Sequence, residues 1–282
     1  MRPTAPPEAW TEWGGEGPAL IFGHANGFPP GTYRQFLQGL SRSFSVSSFS
    51  ARPLWPESDP GSIRSWHDLA DDLGGEFARR GVQDAIGVGH SLGSVLCLLA
   101  AAADSSRFAA LALMDPVIFT GIQRLFWGAL KGLGLGSRLP LIRGALRRRE
   151  IFSGLDEVRS TYRGKSVFAT WDPAVLEDYV QAGFSETAEG EVQLRYPKVW
   201  EARIFELTPA SVWRELTTLD VPVFVIRGAA SDTFSAAAAL RIRRELSGSR
   251  VIELPDTSHF IPMEKPREVA GLIADWAREM EF

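Results

Sequence analysis

One cysteine, Cys97, stands in 282 residues, so no intrachain disulfide can form and no oxidising compartment is required. No apolar run is long: the longest uninterrupted one, VLCLLAAAA (95–103), falls far short of the roughly 20 residues a membrane helix needs. The first residues, MRPTAPPEAWTEW, lack an apolar stretch of signal-peptide length. A soluble, cytoplasmic protein with no transmembrane segment is therefore expected. Positive charge is not in excess either. A net charge of −4 and a pI of about 5.7 argue against a nucleic-acid partner. No Cys/His cluster suggests a metal, and neither metal nor organic cofactor is expected. Histidine is scarce: His24, His67, His90 and His259 are the four, so any general base comes from a short list.

What is present is ordinary for a globular chain: 45% hydrophobic, 23% charged and 11% aromatic residues. A chain of this length buries roughly three quarters of its unfolded surface and needs no covalent staple. In its first and last thirds, short β-rich runs alternate with helical patterns, the rhythm of a parallel sheet covered on both faces. Candidate strands are 19–23, 43–49, 85–89, 109–114, 221–228 and 250–254. The serines of 43–49 make it the weakest. Candidate helices are 65–80, 91–103, 235–246 and 266–280. Between 117 and about 215 no strand is predicted, and Trp, Phe, Leu and Arg are dense. Ile122, Leu125, Phe126, Ala129, Leu130 and Leu133 recur at helical spacing. WDPAVLEDYVQAGF (171–184) reads as a helix with Asp172 as N-cap and Pro173 in its first turn. The expected architecture is an α/β core over 1–116 and 216–282, with a helical insertion over 117–215.

The stretch AIGVGHSLGSVLCLLAAA (85–102) carries the clearest chemistry. Gly89-His90-Ser91-Leu92-Gly93 is a G-x-S-x-G motif lying after a strand and before a helix, the context that gives the motif meaning. The turn is tight enough to strain the serine, and glycines two residues to either side relieve the crowding. The Ser91 hydroxyl is thereby held at the strand's carboxyl end, facing the free N–H groups and positive end of the following helix. Without chemistry, the motif would be a Gly/Ser-rich turn and nothing more.

On these residues the chain resembles the α/β-hydrolase family. GHSLG resembles its nucleophile elbow, and GHANGF (23–28) the His-Gly segment after an earlier strand. RGAASDTFS and DTSHFIPMEKP resemble the loops that carry its acid and its histidine. The matches run in order from about residue 18 to 280, and the insertion sits where many members carry a lid. One departure is Ala25, where the family usually has glycine. The resemblance implies an α/β-hydrolase fold, a mostly parallel central sheet flanked by helices, with a helical cap.

A serine hydroxyl needs a base within hydrogen-bond reach. His90 is adjacent to Ser91, and its side chain is expected to diverge from it and pack. His67 lies on a helical pattern with a solvated or capping role. His259 follows the last strand in an irregular loop at the sheet edge where such sites collect, and the family's chain order Ser…acid…His also selects it. Two aspartates end strands as candidates for the acid. Asp232 matches the commoner family position and is favoured, while Asp115 before Pro116 reads as the start of the insertion.

The oxyanion donors implied are the backbone N–H groups of Leu92 and Asn26, with Ala25 next in line. The Asn26 side chain is an alternative cap for the local turn. Phe28 is a candidate pocket residue. His24, also a pocket candidate, reads better as a brace for the turn presenting Asn26.

The basic run within 124–149 contains seven Lys/Arg between Gly121 and Arg149 and no acid. Such runs are usually solvated faces; the sharper alternative is weak contact with an anionic lipid surface or an acidic substrate. The expected activity is hydrolysis of a small carboxylic ester with an apolar acyl or alcohol group. Alternatives on the same serine are a carbon–carbon-bond hydrolase, a lactonase or thioesterase, a perhydrolase, or a non-catalytic ligand sensor. Oligomeric state is left open.

Overall fold

The computed structural model describes residues 4–132 and 139–282; the side chains of residues 122 and 130–132 lie outside that description. Of the insertion's helical stripe, therefore, Ile122 and Leu130 are described in backbone only, and Leu133 not at all. The strands are β1 (Trp10–Gly14), β2 (Ala19–Gly23), β3 (Ser45–Phe49), β4 (Ala85–His90), β5 (Phe108–Met114), β6 (Ile151–Phe152), β7 (Phe184–Glu186), β8 (Val192–Leu194), β9 (Val223–Gly228) and β10 (Arg250–Leu254). The first helices are α1 (Arg34–Leu40), α2 (Trp66–Arg80) and α3 (Leu92–Ala103). Between β5 and β9 come α4 (Gly121–Gly132), α5 (Pro140–Leu146), α6 (Leu155–Arg163), α7 (Pro173–Gly183), α8 (Lys198–Glu206) and α9 (Trp213–Thr217). The chain ends with α10 (Ala236–Glu245), α11 (Ile261–Glu264) and α12 (Pro266–Glu279).

Seven strands form one sheet in the order β1-β3-β2-β4-β5-β9-β10, parallel except for β1, which runs antiparallel to β3. This is the expected mostly parallel sheet flanked by helices. Alternate residues of each strand feed two separate cores. Val223 and Val225 of β9 face the side covered by α2, α3 and α10, with Leu73, Val95 and Ile242. Phe224 and Ile226 face the side covered by α1 and α12, with Phe36, Leu37, Val269 and Ile273. Residues buried from both sides explain the near-continuous apolar reading of these strands. Each fully buried Val, Leu, Ile or Phe contributes about 1.5–3 kcal/mol, so the sheet that carries the site is a stiff platform.

Two features differ from the sequence expectation. β1, WTEWG, is a half-exposed edge strand too polar to announce itself. The insertion is not purely helical, because β6, β8 and β7 make a small antiparallel sheet of strands two or three residues long. Strands so short carry no readable alternation. Leu125 and Phe126 of α4 are exposed rather than packed. Asp172 does cap α7, its carboxylate accepting from the Ala174 N–H at 2.8 Å. Two cations of the basic run turn to internal partners: Arg148 pairs with Glu201, and Arg149 with Glu157. None of the described helices is long and apolar enough to cross a membrane.

Candidate active site

The register of the central strands sets the site. His90 of β4 lies opposite Met114 of β5, so the next residues, Ser91 and Asp115, emerge side by side at the carboxyl edge. Both leave the sheet with positive φ, 54° at Ser91 and 42° at Asp115, which is strained for residues with a Cβ. Bonds across the strand ends hold them there. The Ser91 N–H donates to the Met114 carbonyl at 3.0 Å and the Asp115 N–H to the Ile226 carbonyl at 2.8 Å. Ser94 Oγ donates to the Gly89 carbonyl at 2.6 Å, closing the elbow. The elbow's glycines are steric necessities: a Cβ on Gly93 would lie 2.0 Å from the Gly23 carbonyl oxygen, and one on Gly89 2.3 Å from the Ser94 nitrogen.

His259 reaches this edge from the loop after β10. That loop lies against β9 so closely that a Cβ on Gly228 would meet the Ser258 carbonyl oxygen at 2.1 Å. Glu264 ties the loop to α11, accepting from the Ser258 N–H at 2.9 Å and its hydroxyl at 2.5 Å. The His259 ring then has one chemically consistent arrangement. A carboxylate only accepts, so Nδ1–H donates to Asp115 Oδ2 at 2.7 Å, and Nε2 accepts from the Ser91 hydroxyl at 3.0 Å.

The carboxylate on His259 is therefore that of Asp115, not Asp232. Asp115 is fully buried, and the Gly228 N–H (3.1 Å) and Ser231 hydroxyl (2.5 Å) also donate to it. Asp232 lies beyond β9 on the exposed side of its turn, where its carboxylate accepts from the Thr233 hydroxyl at 3.1 Å. The physical reason is reach. The Ala229 N–H binds the Leu254 carbonyl and the Ala230 N–H the Thr257 carbonyl, which turns the chain against the histidine loop before Asp232 is reached. Ser231, not Asp232, then points at the buried cluster.

The opening loop of the site follows β2. His24 is buried, and both of its ring nitrogens are engaged: Nε2 accepts from the Ala51 N–H at 3.0 Å, so Nδ1–H donates to the Ala25 carbonyl at 2.8 Å. Burial lowers its pKa to about 4 against the opposing Ala25 bond, keeping the ring neutral. His24 thus braces the turn, and with both ring nitrogens engaged it has no polar atom left for a substrate, which corrects the expectation of a pocket residue. The Ala25 N–H donates to Tyr33 Oη at 3.1 Å and is not available to a substrate. Among the described residues no partner is found for the Asn26 N–H. The Asn26 side chain does not cap its own turn: Nδ2 donates to the Glu201 carbonyl at 3.0 Å, and Oδ1 accepts from the Tyr196 hydroxyl at 2.9 Å. Leu92, as first residue of α3, has no carbonyl four residues back within the helix to take its N–H.

His90, expected only to pack, does more. It is fully buried, and Nε2–H donates to the His259 carbonyl at 2.9 Å while Nδ1 accepts from Tyr33 Oη at 2.9 Å. Burial, and secondarily the neighbouring His259, lower its pKa far below the ordinary value, so it holds this neutral tautomer. The strut Ala25–Tyr33–His90–His259 joins the opening loop, the elbow and the histidine loop. Sequence reasoning missed it because the signal, an aromatic hydroxyl 57 residues away along the chain, is not local. His67, by contrast, is more than half exposed, 3.9 Å from Glu215. Phe28 packs against Phe260, Tyr179 and Trp171, with ring centroids 5.5–5.7 Å apart. An aromatic wall therefore stands beside His259. Among the described residues no group of three His, Cys, Asp or Glu could hold a metal ion.

Comparison with known proteins gives the family. The alpha/beta hydrolase family profile matches residues 20–272. An abhydrolase domain-containing protein of Alternaria alternata, ACTT2-1, is 30% identical over 237 residues, covering 69% of this chain and 83% of the relative. A 2-(acetamidomethylene)succinate hydrolase of Mesorhizobium japonicum is 26% identical over 255 residues, covering 89% and 85%. Among solved structures, that of an E-2-(acetamidomethylene)succinate hydrolase superposes with a TM-score of 0.79 at 21% identity, covering 95% of this chain and 94% of the other.

Proposed function

The chain belongs to the alpha/beta hydrolase family, and on that premise we propose that it is a serine hydrolase cleaving a small carboxylic ester through an acyl-enzyme. The observation that carries this reading is the hydrogen-bonded line Ser91 Oγ–His259 Nε2 (3.0 Å) and His259 Nδ1–Asp115 Oδ2 (2.7 Å). Ser91 Oγ attacks the substrate carbonyl carbon as its proton passes to His259 Nε2. Asp115 fixes the tautomer and stabilises the imidazolium that forms. Negative charge developing on the carbonyl oxygen is met by the N–H groups of Leu92 and Asn26, which need no reorganisation at that moment. His259 then gives its proton to the leaving alcohol. Water, deprotonated by the same ring, hydrolyses the acyl-enzyme and restores Ser91.

The wall of Phe28, Phe260 and Trp171 supports an apolar acyl or alcohol group. A second reading, release of an acylamino group, is favoured by the relative whose name gives (acetamidomethylene)succinate as its substrate. A panel of p-nitrophenyl esters of increasing acyl length, run beside N-acetyl enamides with Ser91→Ala as the blank, tests both. Ester turnover with fluorophosphonate labelling of Ser91 is expected. Absence of both labelling and turnover would refute the proposal.

A further inference from the structure

Asn26 supplies a backbone N–H to the reaction proposed above, yet its side chain is held entirely by the segment inserted between β5 and β9. The Tyr196 hydroxyl and the Glu201 carbonyl take the two ends of its amide. Glu201 is itself anchored, because its carboxylate pairs with Arg148, and Arg148 also donates to Tyr179 Oη at 2.7 Å and Tyr162 Oη at 3.3 Å. Tyr196, Tyr179 and Tyr162 are all buried, so these contacts lie out of bulk water, where a lost partner is costly. The ion pair presses on the same loop. Gly27 has φ of +84°, and a Cβ there would meet Arg148 Nη1 and Glu201 Cδ at 3.2 Å each.

We propose that Tyr196 and the Glu201–Arg148 pair are positioning residues for the oxyanion loop: they lock the Asn26 amide so that its backbone N–H faces the carbonyl attacked by Ser91. The inference rests on the serine-hydrolase reading. In it the inserted segment forms part of the catalytic geometry through Asn26, in addition to whatever it covers. With an oxyanion donor, misplacement of the loop weakens binding of the transition state more than of the ground state, so kcat falls and KM holds.

The test compares Tyr196→Phe, which removes one hydroxyl from an intact ring, with Glu201→Gln, which keeps shape and the backbone carbonyl but removes the charge opposite Arg148. Tyr196→Phe is expected to lower kcat about fivefold and Glu201→Gln about tenfold, each with KM within about twofold, as for loss of one buried hydrogen bond. The inhibition constant of an apolar trifluoromethyl ketone, whose Ser91 adduct carries the oxyanion, should rise by the same factors. Hydrogen exchange of the peptide covering residues 24–28 should quicken in both variants. Unchanged kcat, ketone affinity and exchange in Tyr196→Phe would overturn the proposal, even with a lowered Tm. Quickened exchange in a protein whose wild type neither turns over esters nor labels at Ser91 would keep the positioning role and refute the serine-hydrolase reading.

Discussion

Replacing Asp115 by Asn is the sharpest test of the chemistry, because it changes one atom and leaves the shape. The buried carboxylate accepts from the Gly228 N–H at Oδ1, and from the Ser231 hydroxyl and His259 Nδ1–H at Oδ2. An amide must keep its oxygen toward Gly228, which places its NH₂ against His259. The ring then has to accept at Nδ1 and carry its proton on Nε2, where it faces Ser91 with a donor instead of an acceptor. Loss of the acceptor and of the charge that stabilises the imidazolium is worth about 10⁴ in kcat, by the scale measured for the same exchange in serine proteases. That corresponds to about 5.5 kcal/mol of transition-state stabilisation. The assay is kcat and KM on the best p-nitrophenyl ester, with thermal unfolding to show that the variant is folded. Asp232→Asn, run in parallel, should stay within about twofold of wild type, because among the described residues its carboxylate meets only Thr233. A folded Asp115→Asn enzyme with near-normal kcat, or an inactive Asp232→Asn, would refute the assignment.

Three other outcomes follow from the same contacts. His24 has a folded pKa of about 4 against about 6.5 unfolded, so between these values the unfolded chain binds more protons and stability falls as pH is lowered. The loss begins near pH 6.5, is complete below pH 4 and amounts to about 3 kcal/mol; urea unfolding at stepped pH should show it, with a flatter profile in His24→Asn. Gly93→Ala puts a methyl 2.0 Å from the Gly23 carbonyl oxygen and should fail to yield soluble, cooperatively melting protein; a normal melt would contradict the packing of α3 on β2. Arg52 grips Asp72 through two bonds of 2.8 and 2.6 Å, with both residues buried. Arg52→Met should cost about 3–5 kcal/mol, and Arg52→Met with Asp72→Leu much less, as read from denaturant midpoints.

The sheet was legible because its strands are buried on both faces and leave uninterrupted apolar runs, and 250–254 matches β10 at both ends. β1 escaped because an edge strand with one partner keeps polar residues. The small sheet of the insertion escaped because two or three residues hold no periodicity. In the site, Ser91 and His259 could be located from motif and chain order, since each is fixed by its own local turn. The acid could not, because Asp115 and Asp232 both follow apolar strands, and only the register of β4 on β5 decides which carboxylate stands beside Ser91. The ties from Asn26 to Tyr196 and from His90 to Tyr33 were invisible for a related reason. Each joins residues far apart in the chain through a single hydroxyl, which leaves no pattern along it.

The placement of Asp115 bears on how the molecule comes together. Ser91 and Asp115 terminate β4 and β5, the two strands of a single strand–helix–strand unit closed by α3. Both groups are therefore brought to one edge by a local pairing, at little loop-closure entropy and early in any topology-limited assembly. An acid delivered after β9 would have had to wait for the long inserted segment to be spanned. Here only the histidine loop must arrive late, when β10 adds to the sheet margin. Acquisition of activity during refolding should thus track completion of the β9–β10 edge, after Ser91 and Asp115 already share a wall.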